Sequence, residues 1–514
     1  TAPPLPPENV VEASQTAMGG DHNDAVPHLD GVAAAGGNGL AAPGDAADQQ
    51  AVLQVQILQW DAAEIGAGRD PELHRFDLIA DDLAQRLHAG IGVGILHGAN
   101  VAHHVVRTDI PGIEHGIQRQ AAHQRLIGAA VDLGNDLGAG RPPGKQGNDD
   151  VFCYIPINER FLSIYYSRAV LPPLEVSSYF YRYIPRLYGL MDLFVPEALD
   201  RNFDPQPLIR SGISFVQKEP LNLTGRNVVL GFADTGIDYR NPVFRREDGS
   251  TRILAIWDQS VQTGTPPDGL IYGSEYTREQ INEALQLDNP LELVPVTDDI
   301  GHGTAMASAA AGSALNGGID FLGAAPDADI VVVKLKQAKQ FLRDYYMTPP
   351  GVPAYGTNDI MLAVKYLSSF CIPFHRPAVI CLGVGSSFGD HTGNSALSQY
   401  ISTVGTQINQ VVVVAGGNEG NSAHHFSGHI DGTGSVNVEI RVSEGTKGFL
   451  LEAWGSVPDF FSISVRSPGG EVIPPVSGRL GQSLEYTFVY EKTRIRLDYQ
   501  PVEAETGKEV AVLR

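Results

Sequence analysis

Four short runs of aliphatic residues constrain this chain more than any other feature: 227–233 (NVVLGFA), 328–335 (ADIVVVKL), 377–383 (PAVICLG) and 410–415 (QVVVVA). Their apolar residues are continuous, not alternating, so each run reads as a strand covered on both faces, the habit of parallel sheets. Helical stretches separate them at 304–314, 358–370 and 395–408. Thr357 or Asn358 is placed to cap the second and Asn394 the third. Strands alternating with helices imply an α/β, doubly wound, mainly parallel sheet over residues 199–431. In such sheets the working residues stand in loops at the C-terminal ends of strands.

Three motifs occupy those loops. The first run ends in Ala233-Asp234-Thr235-Gly236-Ile237-Asp238. Asp234 is either a turn residue beside Gly236 or a carboxylate that accepts from an imidazole N–H. The second motif is Asp298-Asp299-Ile300-Gly301-His302-Gly303-Thr304, leading into an alanine-rich helix. A histidine at a helix start, flanked by glycines, suits a general base near neutral pH or a structural helix cap. The third is Ala415-Gly416-Gly417-Asn418-Glu419-Gly420. Here Asn418 offers an amide donor for a developing oxyanion, or simply makes a turn.

Taken together and in this order, the three resemble the subtilisin family of serine peptidases, in which the aspartate precedes the histidine in sequence. Gly323-Ala324-Ala325-Pro326 is similar to the segment that follows the family's histidine helix. Gly383-Val384-Gly385 falls where the family's substrate-binding strand usually reads Ser-Leu-Gly. Segments at 253–259, 272–277, 389–393 and 418–425 look like the Csp-type spore-germination proteases, a similarity running from about Tyr154 to the end.

The resemblance implies roles. Asp234 would orient His302, His302 would be the general base, and Asn418 would serve the oxyanion hole. Gly383, Val384, Gly385, Ala415, Gly416 and Gly417 would bind substrate. Residues 154–198 would be the C-terminal part of a prodomain, 199–431 an incomplete catalytic domain, and 432–514 a truncated β-rich insert. That last segment carries period-two alternation and suggests a β-sandwich or jelly roll. The family's nucleophile stands in Gly-Thr-Ser, and none occurs after Asn418. The chain therefore reads as a fragment that hydrolyses peptides little or not at all. The complete protein would be a serine endopeptidase that activates a cortex-lytic zymogen, bacterial and spore-associated. The alternative is a non-catalytic relative that binds a partner protein or a germinant signal. Protein or peptide substrate and its own prodomain are the implied partners. No cofactor is implied, and no site is identified for the calcium that many relatives bind.

Composition marks a boundary near residue 150. All eighteen tyrosines follow it, whereas residues 1–150 hold nine of the fifteen histidines and a single phenylalanine, Phe76. Residues 1–153 are read as foreign to the rest, a fusion or a misread frame, with one helical period at 71–90. Histidines 97, 103, 104 and 115, like 424, 425 and 429, lack metal-ligand spacing, so no metal is expected. The net charge of −23 excludes a sequence-independent nucleic-acid binder. No apolar run is long enough to span a bilayer. Three cysteines, Cys153, Cys371 and Cys381, argue against a disulfide-built fold, and the last two read as small buried hydrophobes.

Overall fold

The computed structural model describes residues 10–16, 51–60, 129–132, 152–166, 174–176, 181–191, 206–314, 322–370, 376–420, 422–456, 459–477, 483–503 and 506–514. The helical period at 71–90, histidines 97, 103, 104 and 115, and Cys371 lie outside them.

All four apolar runs form strands of one six-stranded sheet. Its order is Gln410–Val414, Ala378–Leu382, Val229–Asp234, Asp329–Lys334, Ile253–Asp258, Ser274–Thr277. The first five pair in parallel, and Ser274–Thr277 returns antiparallel at the edge. The central strand serves two cores, because successive side chains point to opposite faces. Val229 and Ala233 join a core with Leu362 and Leu367 of the helix Thr357–Ser369, while Leu230 and Phe232 join another with Ala307 and Ala311 of the helix His302–Ala311. Gly231 gives the first of these helices its close approach: a Cβ there would stand 3.0 Å from Leu367 Cδ2.

Three details differ from the sequence reading. The helix Thr357–Ser369 begins at Thr357 itself, with Gly356 before it and no side-chain cap, so neither Thr357 nor Asn358 caps it. The third helix, Ala396–Gly405, is capped by Ser395, whose hydroxyl accepts from the Ser398 amide at 3.1 Å; Asn394 does not cap it. The run at 410–414 is not covered on both faces. It is an edge strand, and Val411, Val413 and Val414 are about half exposed (54%, 49% and 51%).

Beyond the α/β sheet, two antiparallel sheets share one core. The larger contains His425–His429, Leu450–Gly455, Glu509–Leu513, Arg494–Gln500 and Ser483–Thr487; the smaller contains Ser435–Val442, Phe460–Arg466 and Val472–Ser477. Ile440, Ile463 and Ile473 from the small sheet meet Leu451, Leu497 and Leu513 from the large one. The strand His425–His429 already belongs to this region, so the β-rich part starts before residue 432. The amino-terminal residues enter these sheets as backbone. Val10–Thr16 pairs with both His425–His429 and Leu450–Gly455, and Ala51–Trp60 lies between Ser435–Val442 and Phe460–Arg466.

Residues 174–176 and 181–191 touch both halves. Leu174, Tyr181 and Leu187 pack with Trp454, Val510 and Val512. The Tyr181 hydroxyl donates to the buried Glu452 carboxylate, at 2.8 Å from each oxygen, which also accepts from Trp454 Nε1 and the Gly389 amide. No helix among the described residues is long and apolar enough to cross a membrane.

Candidate active site

The central strand delivers Asp234 to the sheet's C-terminal edge, where it is buried. His302 is the first residue of its helix, following Gly301 in the left-handed conformation (φ 84°). His302 Nδ1 lies 2.7 Å from Asp234 Oδ1, and both side chains are nearly inaccessible. Gly303 is required by this approach, since a Cβ there would run into the Gly236 carbonyl oxygen. Gly303→Ala should therefore separate the pair. The His302 imidazole NMR resonances would report it, and an unchanged low-field Nδ1–H signal would contradict the packing argument.

Sequence reasoning quoted Asp298 without giving it a role. It is the organiser of this junction. Its Oδ1 accepts from the Thr235 hydroxyl (2.7 Å) and the Gly301 amide (2.9 Å), and its Oδ2 from the Thr304 amide (2.8 Å) and hydroxyl (2.7 Å). Asp298 thus ties the aspartate turn to the first turn of the histidine helix, where a negative charge is also favoured by the helix dipole. Burial raises the Asp298 carboxyl, but those hydrogen bonds outweigh it and hold it below the usual carboxylate range. The signal was an aspartate shortly before a glycine-led helix start.

The other side of His302 is occupied by the chain itself. The strand Leu187–Leu190 lies between Tyr355–Gly356 and Val384–Gly385, antiparallel to both. Leu190 stands opposite Val384 and Gly189 opposite Gly385, and the Met191 amide donates to the Gly383 carbonyl at 3.0 Å. The Met191 carbonyl oxygen then meets His302 Nε2 at 2.6 Å. A carbonyl and a carboxylate only accept, so this arrangement favours the imidazolium, in which both ring nitrogens donate. Burial alone would lower the His302 pKa. Asp234, by hydrogen bond and charge, together with the Met191 carbonyl and the Asp298 charge, raises it above the ordinary value.

Gly383 lies directly under the pair: a Cβ there would collide with Asp234 Oδ2 and come within 3.0 Å of His302 Cε1. This accounts for glycine at the first position of Gly383-Val384-Gly385. Beyond the edge strand, the Ala415 amide donates to the Leu382 carbonyl (3.3 Å), and Gly416, Gly417 and Asn418 are exposed. A Cβ on Gly417 would stand 3.9 Å from Met191 Sδ, which places this loop beside the docked segment. His302, Gly383, Gly385 and Gly417 thus lie against Met191, with Ala415, Gly416 and Asn418 in the same exposed loop as Gly417. Met191 and the docking strand were not singled out from sequence, because an extended Leu-Tyr-Gly-Leu-Met segment has no local signature of what it pairs with.

The arrangement bears comparison with known proteins. Residues 225–442 match the subtilase family. That subtilase segment includes Asp234, His302 and Asn418. A solved structure described as the Clostridium perfringens CspB protease matches 60% of this chain at 28% identity, with a TM-score of 0.50. The chain spans 61% of that protein's length. Among curated proteins nothing matches. The subtilase match covers the α/β sheet and the start of the β-rich region, and it accords with an α/β, subtilisin-like fold.

Proposed function

We propose that this chain carries the acid, the base and the oxyanion donor of a subtilisin-type serine endopeptidase of the spore-germination type. The observation that carries the reading is the buried Asp234–His302 pair at a peptide-binding cleft already holding an extended strand. His302, once its Nε2 is free, takes the proton of the attacking serine, Asp234 holds the ring in the required tautomer, and Asn418 with a backbone amide receives the oxyanion. The nucleophile is a serine in Gly-Thr-Ser outside the present sequence. Residues 154–198 are the end of a prodomain, 432–514 with the preceding strand an inserted β-domain, and the substrate is a zymogen of a cortex-lytic enzyme.

Asp234→Asn in a form that includes the serine should lower kcat by roughly 10⁴-fold, the scale of a triad left with the wrong histidine tautomer. Fluorophosphonate labelling should slow in parallel. Equal labelling of wild type and variant would sink the reading. The second reading is a non-catalytic binder on the same scaffold. It predicts no labelling in any form of the protein.

A further inference from the structure

Three arginines from three separate segments converge on one carboxylate at the edge of the α/β sheet that faces away from His302. Arg246 Nη2 stands 2.5 Å and Arg278 Nη2 2.9 Å from Asp329 Oδ1, and Arg376 Nη2 stands 2.8 Å from Asp329 Oδ2. Asp329 opens the strand Asp329–Lys334, and Lys334 at its far end lies opposite Asp234. The cluster is therefore about 16 Å from Asp234, five residues along the sheet at roughly 3.3 Å each.

A structural ion pair needs one cation for one carboxylate. Here Asp329 balances one charge of three. The excess is felt by the arginines themselves. Burial lowers the Arg278 pKa and Asp329 pulls the other way, but Arg246 and Arg376 lower it further. The acids that also act on this group are on its rim: Asp248 is exposed and takes the Ser250 hydroxyl, Glu279 is exposed, and Asp327 takes the Thr224 hydroxyl and faces Arg226. Donors are left over as well as charge. Arg246 Nη1 donates to the Thr251 carbonyl (2.5 Å), and Arg376 donates to the Asn227 and Val228 carbonyls (3.1 and 3.2 Å). Arg278, the first residue of the short helix Arg278–Ala284, has a buried Nε with no hydrogen-bond partner among the described residues. A buried guanidinium N–H without an acceptor is costly, and an oxygen placed there would satisfy it. The three side chains are 37%, 30% and 22% exposed, so an ion from solvent can reach them.

We propose that Arg246, Arg278 and Arg376 bind a free, doubly charged tetrahedral oxyanion of the phosphate class, with Asp329 as the internal counter-ion that holds the three guanidiniums together between ligands. Guanidinium forks match the oxygens of such an ion. Two uncompensated charges match a dianion, and a single carboxylate would leave one of them unmet. The site is separate from the peptide cleft and independent of any hydrolysis.

Inorganic phosphate is titrated calorimetrically into the full chain at fixed ionic strength. One saturable site with Kd below about 1 mM is expected, with sulfate binding within about threefold and acetate weaker by roughly tenfold or more. Arg278→Gln should weaken phosphate by roughly tenfold, because it removes a charged donor from a short surface helix. Asp329→Asn should do the reverse and tighten it by roughly tenfold, since it removes a negative charge that the ligand otherwise meets. A purely structural cluster gains no anion affinity from that change. Exchange protection over 329–334 in Asp329→Asn should reach the wild-type level at about 20 mM phosphate, even where it is low in chloride alone. No saturable phosphate binding by wild type overturns the proposal. So does acetate binding as tightly as phosphate, an unchanged affinity in Arg278→Gln, or a strand in Asp329→Asn that phosphate does not protect.

Discussion

Replacing His302 with alanine is expected to lower peptide hydrolysis by roughly 10⁶-fold in a form of the protein that includes the nucleophile, the scale seen when a subtilisin-type histidine is removed. The size follows from geometry. The ring is fixed on one side by Asp234 at 2.7 Å, and its other nitrogen faces the cleft at the point where the Met191 carbonyl now sits. Among the described residues no other histidine or carboxylate is placed at that point to take over proton transfer. Single-turnover rates on a peptide substrate, wild type against variant, measure it, and a loss below about a hundredfold would remove His302 from the base role.

The same residue sets a pH dependence. Its folded-state pKa is raised, so the stability it contributes is fully present below the unfolded value of about 6.5 and is lost as pH rises through the higher folded value. In the proposed peptidase catalysis has the opposite sign, because the base must be neutral: activity should climb as pH rises through the pKa of the undocked histidine. Freeing the strand removes the Met191 carbonyl from Nε2 and takes away one of the causes of the raised value. A lower histidine pKa in Met191→Asp than in wild type is therefore expected by NMR titration.

Arg252→Ala is expected to destabilise the fold by about 2–5 kcal/mol, at roughly 1–3 kcal/mol for each buried acceptor that loses its donor. Arg252 is only 3% exposed. Its guanidinium donates to the carbonyls of Ala328 (2.7 Å) and Val243 (2.7 Å), and also to that of Ala311. Ala311 is the last residue of the histidine helix, so this arginine closes that helix's C-terminal end, where a cation is also favoured by the dipole. Burial pushes the guanidinium down to about 10, with Arg246 adding to the effect, yet at neutral pH it stays charged. Truncation takes the guanidinium donor from the Ala328 and Ala311 carbonyls, while the Val243 carbonyl keeps the Ser313 amide and hydroxyl. Arg252→Met fills much of the volume and supplies no hydrogen bond, so it should remain well below wild type. Denaturant midpoints for the three proteins decide it, and a loss under about 1 kcal/mol for the alanine variant would contradict the account.

Arg252 also shows where the sequence stops being informative. The apolar runs at 227–233, 328–335, 377–383 and 410–415 are legible because burial in a parallel sheet demands continuous hydrophobicity, and their motifs place Asp234 and His302 at strand and helix ends. An arginine at the start of a strand carries no such mark: three carbonyls from three separate elements converge on it only after folding. Asp298 was visible but lacked its partners, Thr235 and Thr304, until the turn and helix met. The docking of Leu187–Met191 is similar, since backbone pairing depends on what lies alongside and not on the strand's own residues. The half-exposed valines at 411, 413 and 414 make the converse point. A run of apolar residues states a tendency to be covered, and its position at the sheet edge decides whether it is.

The placement of Ala51–Trp60 between Ser435–Val442 and Phe460–Arg466 bears on how the molecule is made. The strand is synthesised early, and the slot it fills exists only when nearly the whole chain has followed. Closing so long a loop adds little equilibrium cost, since each doubling of length adds only about 0.6 kcal/mol. In time the demand is severe, because pairings this distant in sequence form slowly. Until they form, two strands stand with unpaired amides and carbonyls facing a gap one strand wide. Any extended segment of a neighbouring nascent chain fits that gap as readily, so the β-rich region is where crowded synthesis should produce intertwined oligomers.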